Sequence, residues 1–115
     1  MRVALIVMAL LISTLGGARG YFDDGNALLR ICSRPDAPGM CLGQIAGHYD
    51  MMIAVGFRCS NAKEVEKGQV RDVVLKYLRD HPAKRHQPSA SLTIAAMTDA
   101  FDCRFNGQKV ESSPR

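Results

Sequence analysis

The stretch "MCLGQIAGHYD", Met40 to Asp50, holds a cysteine, a histidine and an aspartate, the side-chain types of a thiol-protease site. On one helix Cys41 and His48 share a face but lie about 10 Å apart along the axis, at about 1.5 Å per residue. A nucleophile and its base need roughly 3 Å. Asp50 points nearly away from His48 and cannot orient its ring. The stretch is not a self-contained triad. His48, His81 and His86 make a poor zinc set, because His81 and His86 are five apart with Pro82 between them. No paired carboxylates, Gly-rich phosphate loop or GxSxG appear. Catalytic residues, metal and cofactor are therefore all expected to be none.

The cysteines read better as staples. There are four, Cys32, Cys41, Cys59 and Cys103, with no CxxC. An even count in a short exported chain reads as two disulfides. Export is expected from residues 1–20, "MRVALIVMALLISTLGGARG". Arg2 precedes the apolar run Val3 to Ile12, and small residues follow, the order of a signal peptide. The run is too short to span a bilayer. Cleavage after Gly20 fits, with cleavage after Ala18 as the alternative. Losing Arg2 and Arg19 takes two from the 15 basic residues and leaves 13 against 11 acidic ones. That near balance, without a long run of one sign, speaks against nucleic-acid binding.

What must position these residues is a set of about four helices. "DDGNALLRIC" is capped by Asp23 or Asp24 and broken by "SRPDAPG". Met40 to about Val55 follows, with an apolar face of Cys41, Leu42, Ile45, Ala46, Tyr49, Met52 and Ile53. Gly43 and Gly47 bare one side of it, which we read as a seam for close packing of a neighbouring helix. "EKGQVRDVVLKYLRDHP" has Val70, Val73, Val74, Tyr77 and Leu78 on one face and charges opposite. Pro82 ends it. "HPAKRHQ" is a basic, exposed loop. "SASLTIAAMTDAFDC" is the fourth helix, with Leu92, Ala96, Met97, Ala100 and Phe101 on one side. No strand is expected, and 104–115 reads as a polar, frayed tail after a domain spanning 21–103. The fold class is thus all-α, a small disulfide-stapled bundle. Unbroken, the second helix would hold Cys41 and Cys59 more than about 20 Å apart, beyond reach of a bond. Antiparallel packing favours Cys32–Cys41 with Cys59–Cys103, and an oblique bundle would give Cys32–Cys59 with Cys41–Cys103.

"DGNALLRIC", "CLGQIAG", "QVRDVVLKYLRDHPAKRH" and "PSASLTIAAMTDAFDC" resemble, in order and spacing, the Rap/Tai family of type VI secretion immunity proteins. The resemblance runs from Gly25 to Cys103. It implies a compact, often dimeric helical protein of the periplasm, not an enzyme, that occludes the cleft of a peptidoglycan amidase effector. Three departures stand out. Ser60 replaces a common proline, Glu66 a common threonine cap, and "FDC" the commoner "FPC". An occluding protein needs a protruding surface. The chemistry of His81, Lys84, Arg85, His86 and Gln87 makes that loop the candidate partner surface. A rival reading is a small periplasmic acid-stress chaperone, which would unfold and bind clients near pH 2–3. Low-pH circular dichroism separates the two.

Overall fold

The computed structural model describes residues 20–62 and 64–110. The expected signal peptide, but for Gly20, lies outside them. The helices are α1 (Gly25–Cys32), α2 (Pro38–Ala54), α3 (Lys67–Asp80) and α4 (Ser89–Phe101), with a 3₁₀ turn at Pro82–Lys84. Asp24 caps α1 by accepting the Ala27 amide at 2.8 Å. Pro38 occupies the first turn of α2, where its missing N–H is harmless. Glu66, in place of the common threonine, still forms a capping box, its amide bonded by the Gln69 side chain at 2.9 Å. No described helix is long and apolar enough to cross a membrane.

Leu28 of α1, Ile45 and Met52 of α2, Val70, Val74 and Leu78 of α3, and Leu92 and Met97 of α4 meet in one core, each almost wholly buried. Each comes from the apolar stripe of its helix, so burying that stripe drives the packing. Two expectations about faces fail. Ala100 is exposed. Gly43 and Gly47 are not a packing seam within the bundle: both are exposed, and an added Cβ at either would meet nothing within 4 Å. Their lack of a side chain left α2 free to bury Cys41, Ile45 and Met52 instead.

The chain is not purely helical. β1 (Phe57–Cys59), β2 (Cys103–Phe105) and β3 (Gln108–Lys109) form a three-stranded antiparallel sheet in the order β1-β2-β3. The expected frayed tail is therefore a hairpin as far as Lys109. Its turn is Asn106-Gly107, both at positive φ (48° and 79°), the backbone a two-residue type I′ connection requires. Asp102 also has a positive φ of 48°. Proline, held near −65°, could not adopt that backbone, so "FDC" sets its own exit from α4.

Cys32 is bonded to Cys41, with Cα atoms 4.7 Å apart, and Cys59 to Cys103, at 3.9 Å. The first joins the end of α1 to the first turn of α2. The second joins residues directly opposite each other in the β1–β2 register. It is strand pairing, not the meeting of helix ends, that brings Cys59 to Cys103.

Candidate functional site

The Cys41, His48, Asp50 constellation dissolves in three dimensions. The Cys41 sulfur is consumed by Cys32. The His48 ring reaches across to α4, where Nδ1 lies 3.3 Å from Thr93 Oγ1. That hydroxyl donates to the Ser89 carbonyl at 3.0 Å, so its lone pair faces an Nδ1–H. Asp50 is exposed. Among the described residues no group of three or more His, Cys, Asp or Glu is placed to hold a metal.

His48 is instead a half-buried link between helices. Burial, chiefly, holds its pKa below the ordinary histidine value of 6.5, and the nearby Asp23 charge partly offsets this. The folded state thus disfavours the charged ring, and the unfolded chain binds the extra proton. Its contribution is fully present above about pH 6.5 and is lost as the pH falls through the folded value. Urea midpoints should therefore drop between about pH 7 and 5 in the native protein. His48→Gln, which keeps an N–H for Thr93, should flatten that slope.

The loop between α3 and α4 is a braced arch. At its start the His81 ring stacks on Tyr77, with centroids 4.0 Å apart, and Nδ1 donates to the Tyr77 carbonyl at 2.8 Å. The 3₁₀ turn closes with Lys84 N to His81 O (3.1 Å) and Gln87 N to Lys84 O (3.0 Å). Then the arch and the start of α4 are tied to the first turn of α1 and the residues just before it. Gly25 N donates to Gln87 O, Asn26 N to Arg85 O and Ser89 N to Asp23 O, at 3.1, 3.1 and 2.9 Å. The Tyr21 hydroxyl adds a bond to the His86 carbonyl at 3.3 Å. This docking is close because residue 25 is glycine. A Cβ there would strike Leu92 Cδ1 and come within 3.0 Å of Arg85 Cα and 3.1 Å of its carbonyl oxygen.

The five loop residues do not form one patch. His81, Lys84 and Gln87 line a groove of about 500 Å³ whose other walls include Tyr77, Ile94, Ala95, Thr98 and Lys109. Arg85 lies on another side, in a cleft of about 620 Å³ with Arg30, Arg34 and Leu29. His86 stands exposed and lines neither. Reading the loop alone missed the residues that complete these clefts. Lys109 and Val110 fall in the stretch read as frayed, although Asn106-Gly107 marks a hairpin that folds them back. Two buried polar atoms lack a hydrogen-bond partner among the described residues, Arg85 Nε and Thr98 Oγ1, and their side chains line the cleft and the groove respectively. Leaving a buried donor unpaired costs about 1–3 kcal/mol. The arch therefore presents cations on two sides: Arg85 in a largely polar cleft that also holds Asp24, and Lys84 with Lys109 beside the apolar Ile94, Ala95 and Val110 in a groove that also holds Asp99.

The family model of the Rap1a immunity proteins matches residues 24–103. The chain belongs to the Rap1a immunity protein family. The matched span takes in all four helices, both disulfides and the whole arch. No curated protein matches the chain, and no solved structure does. An immunity protein acts by binding an effector protein, and the two disulfides accord with an exported protein.

Proposed function

We propose that this protein is a periplasmic immunity protein that binds and occludes a peptidoglycan amidase delivered by type VI secretion, protecting the cell that makes it. The observation that carries the reading is the braced arch 81–87. Occlusion calls for a surface ordered before the encounter, since ordering a loop on binding subtracts from affinity. Here two backbone hydrogen bonds from Gly25 and Asn26 hold the loop from outside, and a third, from Ser89 to Asp23, fixes the start of α4 beside it. Arg85 offers a planar fork that matches a carboxylate, and the exposed His86 is the part best placed to enter a cleft. Lys84 and Lys109 add rim charge that steers association.

The partner to test is an exported, type VI-linked cell-wall amidase. Calorimetric titration should show His86→Ala and Arg85→Ala each weakening binding by about tenfold or more. Lys84→Ala should mainly slow association and reduce its salt dependence. Unchanged affinity for both of the first two variants removes the arch from the interface. Failure of the native protein to rescue cells from that amidase in the periplasm removes the function itself.

A further inference from the structure

The cleft beside Arg85 gathers guanidinium groups from two separate elements. One wall is a stripe of α1 and the turn after it, where Asn26, Arg30 and Arg34 follow one another at four-residue steps. The other wall is Arg85 on the arch. The chain stays wound past the last residue of α1, with Ser33 N donating to Arg30 O at 3.2 Å and Arg34 N to Ile31 O at 3.3 Å. Arg30 and Arg34 therefore stand one turn apart, with about 5–6 Å between Cβ atoms. The Cys32–Cys41 bond pins that turn. Arg85 is held through its backbone, its N donating to Pro82 O at 3.4 Å and its O accepting from Asn26 N at 3.1 Å. Both walls are thus fixed before any ligand arrives.

The carboxylates nearby are committed elsewhere. Asp24, the one carboxylate among the described residues that line the cleft, caps α1 through the Ala27 amide. Asp36 holds Arg34 at 2.9 Å. Neither Arg30 nor Arg85 has a carboxylate within ion-pair distance among the described residues. The Nε of Arg85 is moreover buried without a hydrogen-bond partner among them. A native fold seldom leaves a buried donor unpaired unless a water or an ion completes it. Arg30 has one ordinary explanation: it lies in the last turn of α1, where a cation suits the carbonyl end of the helix. That accounts for one guanidinium and not for three around one space. Like charges a turn apart repel, and a cleft lined by one sign concentrates its field.

We propose that this cleft binds a small dianionic oxyanion, the phosphate group of a soluble ligand, between Arg30 and Arg85 with Arg34 at its rim. Two negative charges match the two uncommitted guanidiniums, and each guanidinium offers a fork of parallel N–H donors that fits phosphate oxygens. The cleft holds about 620 Å³, inside the range of about 300–1,000 Å³ for small-molecule sites. Room therefore remains for the body of a phosphate ester, with the Asn26 amide and the Leu29 and Pro35 side chains on its walls. A space walled from two sides admits a compact ligand. A protein partner meets the outside of the arch, where His86 stands clear of both clefts. Because the anion touches α1 and the arch together, its binding fastens one to the other.

Calorimetric titration of the full, disulfide-bonded chain with inorganic phosphate tests this at low salt and about pH 8, where phosphate carries close to two charges. The amidase is absent from the cell, so failure here and failure of the amidase reading are separate results. Arg85 is left unchanged, because the amidase reading also uses it. The native protein should bind phosphate at a single site with a dissociation constant on the order of 1 mM or below. Arg30→Gln with Arg34→Gln should weaken binding by about tenfold or more. Lys67→Gln with Arg71→Gln removes the same charge from α3, outside the cleft, and should change it by less than about twofold. Arg30→Lys keeps the charge and loses the fork, so its binding should fall between native and double variant; it carries the test if the double variant folds poorly. Hydrogen exchange is the second readout. At phosphate ten times the dissociation constant, the Asn26 amide, which bridges α1 and the arch, should exchange about tenfold more slowly. No heat and no added protection at about 20 mM phosphate overturn the proposal. Equal weakening by the two double variants means an adventitious ion only and overturns it too. Binding to phosphatidylglycerol vesicles without binding to free phosphate assigns the cleft to a lipid surface and overturns the soluble ligand.

Discussion

Replacing Cys59 and Cys103 together with alanine should lower the unfolding free energy by about 4 kcal/mol and the melting temperature by about 15–30 °C. The bond spans 44 residues, against nine for Cys32–Cys41. Closing the longer loop restricts the unfolded chain more, and the same chain-entropy relation gives only about 2.6 kcal/mol for the shorter one. The native side of the balance points the same way. Cys103 is fully buried, and the strands it joins are only three residues long. Strands this short do not hold together by themselves. Without the bond, the sheet and the hairpin that returns Lys109 to the groove should be lost first. Urea denaturation of both double variants checks the order of the two effects. Hydrogen exchange should show unprotected amides at 57–59 and 103–105 only in the Cys59/Cys103 variant. Equal destabilisation by both pairs would contradict this account.

Gly25→Val should lower stability by about 1–3 kcal/mol and release the arch. The side chain would have to displace Leu92 at one side and the Arg85 backbone at the other. Leu92 can turn; the backbone of a braced loop cannot, so the loop and α1 must separate. The amides of Asn26 and Ser89, which bridge the two, should then exchange faster, and affinity for the effector should fall although no contact residue has changed. Gly43→Ala supplies the contrast. It occupies open space in a helix interior, so it should stabilise by up to about 1 kcal/mol. The same one-atom change to alanine at Gly25 should destabilise. Two glycines in one short chain thus have opposite meanings, decided by what stands opposite each.

Much of this protein is legible in its sequence for local reasons. α3 declares itself through Val70, Val74 and Leu78 on one face, a periodicity that comes from the helix alone, and Asp24 marks its own helix start because a cap acts over three residues. The order of "CLGQIAG", "VVLKYLRDHP" and "AFDC" carries the resemblance to the immunity proteins, and the family model matches the span that holds all three, residues 24–103. The sheet was hidden, since strands of two or three residues are too short to show an alternation; only Asn106-Gly107 signals it. Other features exist only once distant segments meet. Arg85 and His81 are four residues apart, yet face different clefts, because residues 23–26 dock on the arch and fix its orientation. Gly43 and Gly47 gave no sign of facing outward, because a residue without a side chain has no preference between core and water. Its direction is chosen by Cys41, Ile45 and Met52, whose burial turns Gly43 and Gly47, with Met40 and Met51, toward solvent.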